Sequence, residues 1–438
     1  MGVDEPTRFP LNPTLPLTVY YPARSGEVLR HAADELARLL SAIIGEAVGV
    51  DADEGLPARY LRLGTRPSVS AAAPLIVAAE RRPAVGSDGF ALWREAAAAG
   101  GAAAAGAGAL VLAGGTERAV LHAAYELAQR LGAGFSAAGE SVAVGDGGEG
   151  LDEIEPFTAT PAFNRRAIAS DIMTWHYETA ERLATHLAHD HAFITWMAAR
   201  GLNAFSYIRN TVDSRLKIDE LVAPLRRHGI GAEYGGHVLQ LLLPRARFDT
   251  DASYFPLDAD GRRNRRGNLC VSNRAALEIV CVGALRYVRE NSECEVLHVW
   301  GADGSESGWC RCAQCAAMSP QFQYLKVVNA IADALGDGGP PVAYLAYHDT
   351  LEPDVQLKPR PNVWFEWAPR ERCYSHAIDD PACAVNPRYL EALKRHIDLF
   401  DGRGHVFEYY ADAILFGGLA CATPAVIVRD LRAYRALA

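Results

Sequence analysis

Two groups of side chains in this sequence have the types and spacing to do chemistry. In WGADGSESGWCRCAQC (300–315), Asp303 and Glu306 are followed by Cys310, Cys312 and Cys315. Elsewhere, strand-like segments end on polar or aromatic residues: Asp171, Arg209, Glu233 and His237, His348, Glu366 with Trp367, and Glu408 with Tyr409. A pair of carboxyl groups can cleave a glycosidic bond, one protonating the leaving oxygen while the other activates water or attacks the sugar. Tryptophan and tyrosine add flat apolar faces with a polar edge, suited to sugar rings. One acid at a strand end is as often half of an ion pair. Several such strands, interleaved with aromatics, point to a carbohydrate site.

These residues need a scaffold that brings them to one edge. From residue 160 the segments RRAIASDI (165–172), LNAFSYIRN (202–210), GIGAEYGGH (229–237), EVLHVWGAD (295–303), PVAYLAYHD (341–349), NVWFEWAPR (362–370) and HVFEYYADA (405–413) read as strands with helical stretches between them. Apolar strands separated by helices form a parallel sheet covered on both faces. Seven such units predict an α/β chain with a (β/α)8 TIM-type barrel over 160–438, whose active sites gather at the carboxyl ends of the strands. No eighth strand is evident: after the seventh comes only TPAVIVRDLRAYRALA, a helix. A truncated chain, a last strand from elsewhere and an open barrel all stay in play.

Residues 1–150 have a different rhythm and predict a small α/β domain. Strands are expected at 17–21, 60–64, 88–93 and 109–115, with helices over HAADELARLLSAII (31–44) and ERAVLHAAYELAQRLG (117–132). Thr116 is placed to cap the second helix. The low-complexity stretch 97–108 reads as a hairpin connection, and Gly-Gly-Thr at 114–116 is a weak anion-site signal. The acidic, proline-bearing EGLDEIEPFTATPAF links the two parts.

The chain of 438 residues is 50% apolar, enough for one large core and one smaller one. A net charge of −10 without a basic run argues against nucleic acid and anionic membranes as partners. The opening MGVDEPTRFPLNP lacks the basic patch and apolar core of a signal peptide, so a cytoplasmic protein with an intracellular substrate is expected. Nine cysteines, clustered late, fit a reducing compartment better than a disulfide framework. No organic cofactor is expected, and a homodimer is compatible with everything read here.

Cys310, Cys312 and Cys315 could wrap three thiolates around a tetrahedral structural zinc. Cys373, in RERCYSH, is the first choice for the fourth ligand, with Cys383, Cys270 and His376 as alternatives. Reduced thiols or a redox pair remain open beside it. A catalytic zinc is not expected, because four protein ligands leave no open position. Cys270, Cys281, Cys294 and Cys421 otherwise read as core thiols.

Two resemblances add to this. DGF followed by LVLAGGTERAVLHAAYELAQRLGAGF resembles the small α/β domain that precedes the barrel of bacterial α-glucuronidases and β-N-acetylhexosaminidases. GGHVLQLLLP, DASYFPLDADGRRNRRGNLCVSN, the Cys-x-Cys-x-x-Cys element, RCYSHAIDDPACAVN and FEYYAD resemble an uncharacterised bacterial family of glycosidase-like barrels related to those enzymes. The resemblance implies a glycoside hydrolase with its acid at the end of the fourth strand. Asp303 stands there, with Glu306 in reserve and Trp300 or Trp309 as an apolar wall that would raise the acid's pKa. The partner carboxylate would be Glu408, then Glu366. Expected sugar contacts are His237, whose preceding glycines would admit a ligand, then Arg209, His348, Trp300, Trp367 and Tyr409. Arg166 and Asp171 should divide into one sugar contact and one ion pair. Asp303 is followed by glycine rather than by the glutamate of the hexosaminidases, so an acetamido-assisted mechanism is not expected. The competing readings are a non-catalytic carbohydrate-binding barrel and a metal-dependent enzyme acting on sugar acids.

Overall fold

The computed structural model describes residues 17–65, 88–95, 109–142, 151, 154–169, 180–206, 215–303, 308–418 and 423–438. Asp171, Arg209, Glu306, Cys421 and the stretch 97–108 lie outside the described residues.

The N-terminal part contains β1 (Leu17–Pro22), α1 (Glu27–Ile44), β2 (Gly49–Asp53), β3 (Tyr60–Thr65), β4 (Phe90–Glu95), β5 (Ala109–Gly114), α2 (Glu117–Arg130), the hairpin β6 (Ala133–Ser136) and β7 (Gly139–Val142), and β8 (Phe157–Ala159). Six strands form a sheet in the order β2-β1-β3-β5-β4-β8. The β4–β5 pair is antiparallel. Helix α1 buries Leu29, Ala32, Ala33, Leu36, Leu39 and Leu40, the i, i+3, i+4 spacing of an amphipathic helix, and stops at Gly45 in the left-handed region. Helix α2 starts at Thr116, whose side chain accepts from the Ala119 amide at 3.1 Å.

An anion does sit at the Gly-Gly-Thr turn, and it is the protein's own. Asp88 accepts from Thr116 Oγ1 at 3.1 Å, Arg118 at 3.0 Å, Arg166 at 3.0 Å and Asn203 at 3.1 Å. Burial would raise this carboxyl, but Arg118, Arg166 and Asn203 bring it down to about 2. Arg166 is thereby the ion-pair member of the Arg166/Asp171 couple. Its remaining donors reach the Gly201 and Phe163 carbonyls, both at 2.6 Å, which leaves no free fork for a sugar.

The second sheet has seven strands in sequence order: β9 (Ala167–Ala169), β10 (Ala204–Ser206), β11 (Gly231–Gly236), β12 (Cys294–Val299), β13 (Val342–Ala346), β14 (Val363–Trp367) and β15 (Gly404–Val406). Each overlaps one of the seven expected segments, with β12 and β15 starting one residue earlier. The β11–β12, β12–β13, β13–β14 and β14–β15 pairs are parallel. Every residue of β11 and β13 is buried, which is why these strands read as continuous apolar or glycine-rich runs. Helices α3 (Ala180–Ala199) and α4 (Arg215–Arg227) make two of the crossovers. The short α5 (Leu239–Leu242) and α6 (Arg247–Thr250) follow β11, then α7 (Arg274–Glu290), α8 (Pro320–Leu335), α9 (Asn386–Leu399) and α10 (Pro424–Leu437). Asn273 and Ser319 cap α7 and α8 through their side chains. No eighth strand exists among the described residues. The result is a curled, parallel half-barrel of TIM type that begins and ends on open edges.

By proximity of its residues the chain forms two compact units. One contains the described chain through Ile168 with α3 and α4; the other contains the chain from Ala232 onward. Among the described residues no helix is long and apolar enough to cross a membrane.

Gly235 and Gly236 have a different job from the one their place before His237 suggested. Gly235 has φ +126°, and a Cβ there would stand 1.9 Å from the His298 carbonyl oxygen. The missing side chain lets β11 lie against β12; it does not admit a ligand. Gly235→Ala is expected to cost about 2–4 kcal/mol, from backbone strain and the clash, read as a lower urea midpoint.

Candidate functional site

A small, half-open cleft lies where the chain leaves β11, β12 and β13. It is lined by His237, Gly301, Ala302, Trp309, Tyr324, Leu345, Tyr347, His348, Asp349 and Thr350. Two of the expected residues, His237 and His348, are therefore brought together. The Nδ1–H of His237 donates to the Gly301 carbonyl at 2.5 Å, leaving Nε2 for a ligand. His348 has φ +48°, a strained conformation for a non-glycine residue. The turn is held in that shape by Thr350, whose hydroxyl donates at 2.9 Å to the Leu345 carbonyl and accepts from the Tyr347 amide at 3.2 Å. His348 Nδ1 also pairs with Glu371 at 3.1 Å, and its ring lies 3.7 Å from that of Tyr347.

Asp349 is the carboxyl that lines this cleft. Burial raises it to about 6, and among the described residues no cation pairs with it. Asp303 is exposed, and its charge acts on Tyr347. Tyr347 is pushed up to about 12, first by burial and then by Asp303 and Glu371. The Tyr409 ring faces that of Tyr347 at 6.5 Å, and Arg370 lies 6.0 Å from the Tyr409 centroid. Asp349 was legible: it is the last residue of PVAYLAYHD, next to His348. What the sequence withheld is the burial that raises its pKa.

Below the strand ends lies a buried charge network. His298 Nε2 meets Glu233 at 2.6 Å and its Nδ1 meets Glu366 at 2.9 Å. Glu366 also accepts from the Trp300 indole at 2.7 Å, and its other oxygen is 3.5 Å from His405 Nε2. Burial opposes charge on His298, but the two glutamates win and raise it to about 10. Glu366 is held far below the usual carboxylate range by His298 and His405 despite burial. Two expectations change as a result. Glu366, fully buried among these partners, is a structural anion rather than a cleft carboxylate. Trp300 is 7% exposed with its N–H committed to Glu366, and Trp367 is 0% exposed against Tyr434 at 6.2 Å, so neither offers a face to a sugar. His298, alone in an otherwise apolar strand, was the sequence signal for this network.

The pH sign follows from these shifts. His298 contributes stability in full below its ordinary value of 6.5, lost as pH rises through about 10. Glu366 contributes above its ordinary 4.5, lost as pH falls toward its depressed folded value. Stability should therefore be greatest between about pH 4.5 and 6.5 and decline on either side, and His298→Gln should flatten both flanks.

Glu408 also departs from expectation. Arg372 Nε lies 3.0 Å from its Oε1 and 3.2 Å from its Oε2, and the Tyr434 hydroxyl donates to Oε1. Arg372 reaches Asp430 at 2.5 Å as well. With both oxygens engaged and no place among the cleft residues, Glu408 is one side of a buried ion pair, not a free nucleophile.

The cysteines regroup. Cys270, Cys310, Cys312 and Cys315 form a cluster whose sulfurs all lie within 4.8 Å of one another, so the chain has a set of residues that could hold a metal. Cys373 is not part of it. It joins His376 and Cys383, with its sulfur 3.1 Å from His376 Nδ1. Cys281 and Cys294 are core thiols bonded to the Ala330 and Val296 carbonyls. Cys270, also read as a core thiol, is instead the fourth member of the first cluster, because the loop carrying Asn-Leu-Cys folds back onto the loop after β12.

A parallel half-barrel with its polar cleft at the carboxyl ends of the strands is similar in fold to a solved glycoside hydrolase. The chain belongs to the family described as a domain of unknown function, DUF4838, which matches residues 153–436. Among solved structures it is similar to BtGH115A, described as a family GH115 4-O-methyl-α-glucuronidase with specificity for decorated arabinogalactans. Identity is 14% and the TM-score 0.50, over 96% of this chain and 59% of that one. A β-N-acetylhexosaminidase from Bacteroides fragilis matches at 12% identity and a TM-score of 0.42, over 75% of this chain and 62% of that one. The chain thus spans less than two thirds of either. No curated protein sequence matches it.

Proposed function

We propose that the protein hydrolyses a glycosidic bond in the cleft after β11–β13, with Asp349 as proton donor and Asp303 as the second carboxylate. The observation that carries this reading is the contrast between the two acids: one half-buried in the cleft and raised to about 6, the other exposed. A donor must hold its proton near neutrality, and its partner must not; unlike environments are how one site achieves both. Asp303, proposed from sequence as the donor, fits the water-activating or nucleophilic role better because it is exposed. Tyr347, His348, His237 and Trp309 would bind the sugar, with Tyr409 extending the surface. The likeness to an α-glucuronidase makes uronic-acid glycosides the first substrates to try.

A carbohydrate-binding barrel without turnover has one observation in its favour: Glu366 and Glu408 are both tied up in ion pairs. Aryl glycosides, uronides included, separate the two. Release of aryl alcohol supports hydrolysis; saturable protection against heating with no product supports a binder and ends the hydrolase proposal.

A further inference from the structure

We propose that Cys270, Cys310, Cys312 and Cys315 form a closed tetrathiolate zinc site that fixes the Trp309 wall of the cleft. Zinc sulfur bonds of about 2.3 Å set the edge of a regular ZnS4 tetrahedron at about 3.8 Å. The Cys270 and Cys312 sulfurs are 3.8 Å apart, and all four sulfurs lie within 4.8 Å of one another. A disulfide would need two sulfurs at about 2 Å and would leave the other two thiols unused. Thiols that merely fill a core do not converge four at a time on one point.

The surroundings suit an anionic metal centre. Four thiolates on one Zn²⁺ leave a charge of −2, which needs donors aimed at sulfur. The Leu257 and Cys312 amides donate to Cys310 Sγ at 3.3 and 3.5 Å. Ser272 Oγ lies 3.1 Å from Cys270 Sγ and 3.5 Å from Cys312 Sγ, and Arg263 brings a guanidinium to 4.0 Å from Cys310 Sγ. Outer partners of this kind orient ligands and tune the metal. With four sulfur ligands the shell is closed, so the ion is structural.

Its position explains what it would hold. Two residues before Cys270, Asn268 accepts from the Ala302 amide at 2.6 Å, and its own amide donates to the Gly308 carbonyl at 2.9 Å. One residue before Cys310 stands Trp309, which lines the cleft together with Gly301 and Ala302. The ion would staple the Asn-Leu-Cys loop to the loop after β12, so the wall of the cleft would be set by a metal rather than by regular secondary structure. This second half rests on the cleft being the functional site; the zinc itself does not.

The test is elemental analysis of the full chain purified without chelator. About one zinc per chain is expected, lost in Cys270→Ser and Cys312→Ser and retained in Cys373→Ser. Should the first two variants fail to fold, titration of wild-type thiols with a mercurial reagent must release that zinc in step with sulfur modification. Cobalt substitution must also give the absorption of a tetrahedral tetrathiolate. Protein without zinc, iron in its place, zinc that survives Cys270→Ser, or zinc lost on Cys373→Ser would each overturn the site. Zinc at one per chain in a protein that cleaves no glycoside would keep the site and reject only the hydrolase reading.

Discussion

Asp349→Asn is expected to lower kcat on an unactivated glycoside by about 10²–10⁴-fold, the usual worth of general acid catalysis. Asparagine keeps the shape of the side chain and removes the proton that would go to the leaving oxygen. Loss should shrink on substrates with a good leaving group, because a phenolate that departs unaided needs no donor. The alkaline limb of the pH profile makes the assignment sharper. A donor raised to about 6 is active while protonated, so kcat/KM should fall as pH rises through that value, and the fall should vanish in the variant. Stability moves the same way, over a lower range. The folded value lies above the ordinary 3.8, so the native state binds the proton more tightly and stability declines as pH rises from 3.8 to about 6. Removing the buried charge should therefore leave the melting temperature at pH 7 unchanged or higher. Full activity in Asp349→Asn, or a melting temperature that drops with the rate, would reject the role.

Much of this architecture could be read from sequence, and the parts that could not share one cause. All seven strands of the half-barrel were visible because a parallel sheet covered on both faces leaves near-continuous apolar runs, as in VAYLA (342–346), with helical spacing between them. Thr116 and the edges of α2 followed from capping chemistry alone. Three residues placed at strand ends, Glu366, Trp367 and Glu408, went to the interior instead. A strand end tells the height of a side chain along the barrel axis but not which face it takes, and period-2 alternation is hard to see where both faces are buried. The sequence ranks Cys373 ahead of Cys270 as the fourth ligand for a related reason. Cys270 and Cys310 are forty positions apart in sequence on loops without periodic pattern, and only the folded backbone brings their sulfurs to one point. Asp349 shows the third limit: its residue type was on the page, but its raised pKa comes from burial that only the folded chain supplies.

Arg372→Met should be the most damaging single substitution to stability, costing about 3–5 kcal/mol. Its side chain is fully buried and serves two carboxylates at once, Glu408 through Nε at 3.0 Å and Asp430 through Nη2 at 2.5 Å. Nη1 donates to the Cys373 carbonyl at 3.1 Å, and the guanidinium lies 4.2 Å from the Tyr374 ring centroid. Methionine fills much of the volume but strands two acids in a low-dielectric interior with one tyrosine hydroxyl each from Tyr434 and Tyr410. Lysine should recover little, because a single ammonium cannot span the fork that joins two acids and a carbonyl. Adding Glu408→Gln and Asp430→Asn to Arg372→Met should regain a large part of the loss, since replacing a whole buried ion cluster costs far less than breaking it. The same set decides between the two readings of Glu408. As a structural anion, Glu408→Gln lowers the denaturation midpoint by more than it lowers kcat. As a nucleophile, it abolishes turnover with the melting curve unmoved, and that outcome would return the catalytic pair to Asp303 and Glu408.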